Sequence, residues 1–522
     1  MKNKTFDLTF IILSIIVALF GAIIGMQLIT SLGITPNTSI IGALIAMLIA
    51  RIPMQLFYKY RSLENQNLVQ TTISAATFGA ANSLLIPVGI PYVMGMPELI
   101  VPMLVGAGVA LLIDTFILYK VFDTKLFSAD EVWPPGVATA EALKAGDEGG
   151  AKAKFLGLGI IGGMIGSHFG ISMSAFGVAF IGNIWALTMF GLGLLLRGYS
   201  VPLFGVDLSA YYIPHGMMIG AGMIALLQFI LVLLRSKKQN IKKILQDENH
   251  ENTRNEKDIQ MGFGLGYILY VIGAIVVAMM AGIIGDMPIW QVILFVLFAA
   301  FAALASEIIV GIAAMHSGWF PAFAVTLISL IIGMLLGFPP VALALLTGYT
   351  AATGPAFADL GYDFKTGVII RKGASIEQEL FGRRQQLKSA LIGFGVAMVM
   401  VSLFANNFFA KDLVPPVDRT YAITIESGLT GNVGMLLLLW AIPGAIIQLI
   451  GGPKRQMGIL LATGLLIINP IAGWAVMAGI LIRTIVLKVK GPEAENTMYT
   501  TAAGFIAGDA IYSFFSSIWK VK

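Results

Sequence analysis

The sequence predicts an all-α polytopic membrane protein with about 14–16 transmembrane helices, two weakly similar halves and broken or re-entrant segments. Three observations carry this expectation. Of 522 residues, 57% are hydrophobic and only 12% charged, with a mean hydropathy of +0.87. Soluble domains carry about 25% charged residues, so a soluble chain this apolar could not cover its own surface. Apolar runs near the roughly 20 residues needed to span hydrocarbon recur from end to end. Finally, 59 glycines suit helices that approach one another closely in lipid.

The first run, in "MKNKTFDLTFIILSIIVALFGAIIGMQLIT", starts basic. It is too long for a signal-peptide core and no small-x-small cleavage pattern follows, so it reads as an uncleaved first membrane helix. Runs follow at roughly 39–58, 68–91, 98–119, 155–173, 175–196 and 214–234. A charged segment, "RSKKQNIKKILQDENHENTRNEKDIQ", then interrupts them, and further runs continue to about residue 517. The expected division is a membrane half over 1–235, a charged cytoplasmic linker over 236–260 and a second membrane half over 261–522. Arg51, Lys59 and Arg61, then Lys120 to Lys154, the central linker, and Lys365 to Lys388 mark alternate loops as basic. By the positive-inside rule the N-terminus and linker lie in the cytoplasm. The net charge of +5 reflects those loops and does not read as nucleic-acid binding. With no cysteine, disulfides, iron–sulfur clusters and thiolate metal sites are excluded.

One stretch, "VWPPGVATAEALKAGDEGG" (132–150), fits neither a span nor a plain loop. Lysines on both flanks place its ends on the same side, so it either stays in the cytoplasm or dips into the membrane and returns. Its prolines and Gly136 precede a short helix-forming segment. The segment "DFKTGVIIRKGAS" is expected to hold the related place in the second half. Other internal likenesses support a duplication: "YYIPHGMMIGAGMIALL" (211–227) lies over "YTTAAGFIAGDAIYSFF" (499–515), and "GGAKAKFLGLGIIGG" beside "GRRQQLKSALIGFGV". Duplication in transporters places the substrate site between repeats. The bland alternative is that glycine-rich apolar helices resemble one another by composition.

No phosphate loop of the G-x-x-x-x-G-K-[ST] form and no H-E-x-x-H occurs, so neither a self-contained ATP-driven pump nor a zinc enzyme is expected. The four histidines, His168, His215, His250 and His316, are too scattered for a metal site. Met217, Met218 and Met223 read as packing rather than copper ligands. No catalytic residue, metal or cofactor is expected. Charged groups inside apolar runs are functional candidates because each costs roughly 2.5–3.5 kcal/mol to insert. Asp114 reads as a residue near a cytoplasmic helix end. Glu307 and Asp509 read either as coupling or binding groups or as structural polar pairs. His316, in "HSGWFP", suits proton coupling or an interfacial belt.

Four segments resemble the oligopeptide transporter family, particularly its bacterial branch, and do so in order along nearly the whole chain. "ENQNLVQTTISAA" (64–76) resembles its E-N-x-x-(V/I)-Q-T segment, and "WPPGVATAEALKAGDEGGAKAK" its proline–glycine–T/A–T/C–A–E segment. "DFKTGVIIRKG" resembles a loop shared with the yellow-stripe-like metal-chelate transporters, and "GFIAGDAIYSFFSSI" the C-terminal G-x-I-x-G-(D/E)-(G/A) segment. Val137 after Gly136 departs from the family wording. The resemblance implies a multi-pass secondary transporter of a bacterial inner membrane, usually a proton-coupled symporter. Short peptides, glutathione-like compounds or metal chelates are the implied small-molecule substrates, the proton the coupling ion, the lipid bilayer the surroundings and a homodimer one expected assembly. On this reading the helix start at Gly136 offers amides to a substrate carboxylate, and Thr139 and Glu141 face the cavity. Tyr211, Tyr499 and Asp509 add polar contacts. Glu141, Glu307, His316 and Asp509 are the proton-coupling candidates. A passive channel is the alternative, disfavoured by its need for symmetric rings of ligands.

Overall fold

The computed structural model describes residues 7–33, 35, 38–131, 133–147, 151–244, 252–317, 322–428 and 432–519. Its first half forms α1 (Leu8–Leu32), α2 (Thr38–Ala50), α3 (Leu63–Phe78), α4 (Ile86–Val93), α5 (Ile100–Val121), α6 (Pro134–Asp147), α7 (Ala151–His168), α8 (Met173–Ile181), α9 (Ile184–Phe204) and α10 (Ile213–Ile244). The second half forms α11 (Glu256–Met280), α12 (Ile283–Asp286), α13 (Ile289–Ser317), α14 (Ala322–Leu335), α15 (Pro340–Ala352), α16 (Pro355–Ile370) and α17 (Ile376–Phe409). It ends with α18 (Pro416–Ser427), α19 (Asn432–Arg455), α20 (Met457–Leu466), α21 (Pro470–Lys490) and α22 (Ala494–Trp519). Among the described residues, ten spans are long and apolar enough to cross a membrane, and four further apolar helices are shorter. The short helices arise because proline, glycine or asparagine breaks the apolar runs.

Helix starts are satisfied locally, as lipid requires, because no water is there to take an orphaned amide. Asp7 accepts from Phe10 N at 2.8 Å at the head of α1. Asn183 accepts from Trp185 N and Ala186 N at the head of α9, and Asn469 from Ala472 N at the head of α21. The expected linker is partly helical: α10 runs on to Ile244, and the chain is described again from residue 252. There Thr253 donates its hydroxyl to Asp123 at 2.6 Å, and Asn255 and Asp258 form a capping box on α11.

Close glycine crossings join helices of the two halves. Across α10 and α19, Gly220 meets the Ala441 carbonyl and Gly444 meets the Met217 carbonyl. Across α7 and α22, Gly508 meets the Ile160 carbonyl and Gly163 meets the Phe505 carbonyl. In all four places a Cβ would collide with backbone, the small-residue contact expected between membrane helices. Each pair joins one helix from either half, so the halves are interlocked. The equivalence continues through asparagine-capped α9 and α21, which cross antiparallel: Gly191 faces Met477, and Gly198 faces Pro470. Each carries a buried arginine paired ahead of the next helix, Arg197 with Asp207 and Arg483 with Glu495 at 3.5 Å.

This arrangement revises two of the sequence pairings. The counterpart of α7 is α19, not the "GRRQQLKSALIGFGV" segment at the start of α17. The counterpart of α6 is α18: "WPPGVATAE" (133–141) and "VPPVDRTYA" (414–422) begin the same way. "DFKTG" instead belongs to α16, on which α6 packs, and Thr366 donates its hydroxyl to the Gly136 carbonyl at 3.0 Å. Shared polarity had paired the two segments in sequence; in space they are partners across an interface.

Candidate functional site

Two central spans, Leu63–Val93 and Pro340–Ile370, are the most buried of the ten, and both are broken. A π-helix, Gly79–Leu85, separates α3 from α4. Thr353 and Gly354 separate α15 from α16, with Gly354 at φ +91°. Such breaks free backbone groups that side chains must satisfy. Asp114, fully buried on α5, accepts from Gly354 N at 3.1 Å and from Phe357 N at 2.8 Å. It therefore caps α16 from another helix, favoured by the positive end of the helix dipole. Its role is set by this contact rather than by nearness to a helix end. On α13, Glu307 accepts from the Tyr270 hydroxyl at 2.9 Å, and Tyr349 donates to the Tyr270 carbonyl at 3.0 Å.

On the α6 side of the break, polar groups are packed tight. Asp359 and Asp363, one turn apart on α16, are both buried. Ser74 donates to Asp359 at 2.9 Å, Gln70 to Asp363 at 2.5 Å and Ser39 to Asp363 at 3.3 Å. Gln386 of α17 donates to the Asp363 carbonyl at 2.6 Å. Its own oxygen accepts from Arg371, which holds Glu379 at 2.9 and 3.0 Å. Gly136 has no room for a side chain between the Tyr362 carbonyl and Lys365.

On the α18 side there is space. A cavity of about 180 Å³ lies between Asn82 of the π-helix, Pro355 at the break, Thr326 of α14, Thr463 of α20, and Val417 and Tyr421 of α18. A wider cavity of about 490 Å³ lies against the other face of α18, at Arg419, Ala422 and Glu426, and reaches Arg197, His215 and Asn469. Both are lined from both halves. Residues 417 and 421 face one cavity and 419, 422 and 426 the other, as the spacing on a helix requires. α18 is thus a thin partition. The wider cavity holds both signs of charge: Arg419 pairs with Asp412 at 2.6 Å and Arg197 with Asp207. Arg197 and two backbone amides hold the Asp207 carboxyl below its ordinary range, only slightly offset by burial.

The sequence candidates are dispersed. Thr139 is buried and donates to the Pro135 carbonyl at 2.8 Å, whereas Glu141 is exposed and pairs with Lys144 at 3.2 Å. Two residues apart on a helix, they do not share a face. The amides of Gly136 and Val137 donate to the Trp133 carbonyl at 2.9 and 3.3 Å, so they are engaged within the chain. Tyr211 is exposed, and Tyr499 donates to Glu495 at 2.5 Å. Asp509 accepts from Ser167 Oγ at 2.6 Å and Ser174 N at 2.7 Å, tying α22 to α7 and α8. His316 ends α13, and its side chain lies outside the described residues. Sequence reading missed Asp418, Arg419 and Glu426. The repeated Pro-Pro at 134–135 and 415–416 was the signal that could have found them.

A family model described as OPT oligopeptide transporter protein matches residues 7–225 and 169–520. The chain belongs to the oligopeptide transporter family. No curated protein matches it closely enough to count as a relative. As a family member it is a multi-pass membrane transporter for a small-molecule substrate.

Proposed function

We infer that this family member imports short peptides, or metal chelates built like them, by proton-coupled symport across the inner membrane of a bacterium, with its N-terminus in the cytoplasm. The observation that carries the reading is the wall of the 490 Å³ cavity, where Arg419 and Arg197 stand with Glu426. A short peptide at neutral pH is a zwitterion, and it needs a cation for its carboxylate and an anion for its amine. The volume falls within the roughly 300–1,000 Å³ of ordinary ligand sites. Arginine suits a carboxylate because its planar fork donates two parallel bonds. In this reading Glu307 and Asp509 brace helices, and the substrate passes between the halves as α6 and α18 open in alternation.

Uptake into proteoliposomes tests it. A labelled dipeptide should accumulate above its external concentration when a proton gradient is imposed. Equilibration without accumulation would instead identify a passive channel. Glu426→Gln removes the amine partner. A lost charged hydrogen bond of about 1.5–3 kcal/mol raises the half-saturating concentration roughly 10- to 150-fold. An N-acetylated dipeptide should lose that discrimination. An unchanged half-saturation in Glu426→Gln removes this cavity as the peptide site.

A further inference from the structure

One buried carboxylate has no donor at all. Asp418, in the first turn of α18, is fully buried, and neither of its side-chain oxygens has a hydrogen-bond partner. Its carboxylate lies against the backbone of Gly89 on α4, where a methyl group would overlap Oδ2. An ionised carboxylate left without partners in an apolar setting is expensive enough that such groups neutralise instead. The same residue sits on the helix that separates the two cavities. Its position is also where the halves differ, because the counterpart in α6 is Val137.

We propose that Asp418 is a proton-binding site that latches α18 against α4, so that protonation keeps the two cavities apart and loss of the proton joins them. Seated, the neutral carboxyl packs on Gly89. When the proton leaves, the carboxylate requires water or a cation, and the wide cavity, which holds Arg419 and Arg197, supplies both. α18 then moves off α4, and the space behind Tyr421 opens. α6 cannot respond in this way because Val137 does not titrate. The mechanism couples one proton to one gate. It rests on the proposed symport only for its use in transport, since the latch itself needs no substrate.

Other groups could sense pH here. Among the described residues, α18 itself carries Arg419, Tyr421 and Glu426, and the turn before it carries Lys411 and Asp412. The elements packed on α18 add Tyr92 of α4, His215 of α10, Tyr349 of α15 and Arg455 of α19, while α14 and α20 add none. His215 lines the wide cavity and is the principal rival.

The chain has no cysteine, so one introduced thiol reports one position. Thr463→Cys places it in the small cavity behind α18, and Tyr211→Cys, at an exposed site, corrects for the pH dependence of thiol chemistry. The labelling rate of the first relative to the second, with a bulky polar maleimide on purified protein, should rise with pH by up to about tenfold per unit, the limit for one linked proton. In Asp418→Asn and in Asp418→Val the ratio should stay low and flat. Gly89→Ala, which pushes the carboxyl off its seat, should hold it high at every pH. A pH-dependent ratio that survives Asp418→Asn overturns the proposal and points to His215. So does a ratio that is flat in the unaltered background. Peptide uptake is measured separately, so failure of the symport reading leaves this result intact, and the reverse also holds.

Discussion

Asp114 supplies the clearest test of what holds the broken span. Its carboxylate is the acceptor for Gly354 N and Phe357 N at the head of α16, and both amides lie in buried backbone. Asp114→Ala strips that acceptor. Each buried donor left unmade costs about 1–3 kcal/mol. The loss of helix-dipole complementarity adds roughly 0.3–1 kcal/mol. Two donors and the dipole together come to about 2–7 kcal/mol. Asp114→Asn keeps a carbonyl oxygen in the same place and should lose about 1 kcal/mol, the difference between a charged and a neutral acceptor. The assay is the fraction of detergent-purified protein that remains monodisperse after heating, with peptide uptake measured beside it. Asp114→Ala should melt clearly below Asp114→Asn, and its uptake should fall with it. Equal melting of the two variants would refute the capping role. Full stability with abolished uptake in Asp114→Asn would show that the residue carries a coupling charge instead.

Other outcomes follow from single contacts. Arg383 is fully buried among Glu379 at 3.3 Å, Asp123 at 3.7 Å and the Phe122 carbonyl at 3.1 Å; Arg383→Met should cost about 1.5–3 kcal/mol for each charged hydrogen bond it removes, with Glu379 still held by Arg371 and Asp123 by Thr253. Gly508→Leu drives a side chain into the Ile160 carbonyl and should abolish a stable fold, whereas the solvent-side Glu141→Gln should leave melting unchanged within about 0.5 kcal/mol. Because Asp207 titrates below its ordinary range when folded, its contribution is fully present above an unfolded value near 3.9 and is lost as pH falls through the lower folded value. Asp207→Asn should thus lower the melting temperature at pH 7, and the gap to the unaltered protein should shrink as pH falls below about 3.9.

The membrane class was legible because composition is a bulk property, and 12% charge admits no soluble reading. The α10–α22 likeness was legible because Gly216 and Gly220 recur as Gly504 and Gly508 on helices that both need close crossings. Other parts were hidden for physical reasons. Whether α6 turns Thr139 or Glu141 inward depends on its partner α16, and spacing alone gives no partner. Asp359 and Asp363 sat in a segment that reads as a polar loop, yet they are buried because Ser39, Gln70 and Ser74 meet them from α2 and α3. Depth in the fold was not available from hydropathy. Neither was the cap that Asp114 provides, since the amides that donate to it lie 240 and 243 residues away.

The two proline-led helices explain why one sequence can present two different surfaces. α6 and α18 are equivalent by position, so a symmetric molecule would show the same space behind each. It does not. Behind α6, Thr366 grips Gly136, and carboxylates, serines and amides fill the volume. Behind α18, the same region is open as a cavity reaching the break at Pro355. An inverted repeat whose halves adopt different local packings has two nearly equivalent global arrangements, related by exchanging which half is packed and which is open. Ligands can shift such a pair of states only by binding one better than the other. On the proposed reading, a peptide in the wide cavity would touch Arg419 and Glu426 on α18 itself, and so would discriminate between seated and unseated positions of that helix. The α6 side has no matching charges in its first turn, because Val137 and Ala138 stand where α18 has Asp418 and Arg419. On that reading, the asymmetry of charge between the two proline-led helices would give the transport cycle a direction for recognising its substrate, and the likeness of their backbones would give it a route.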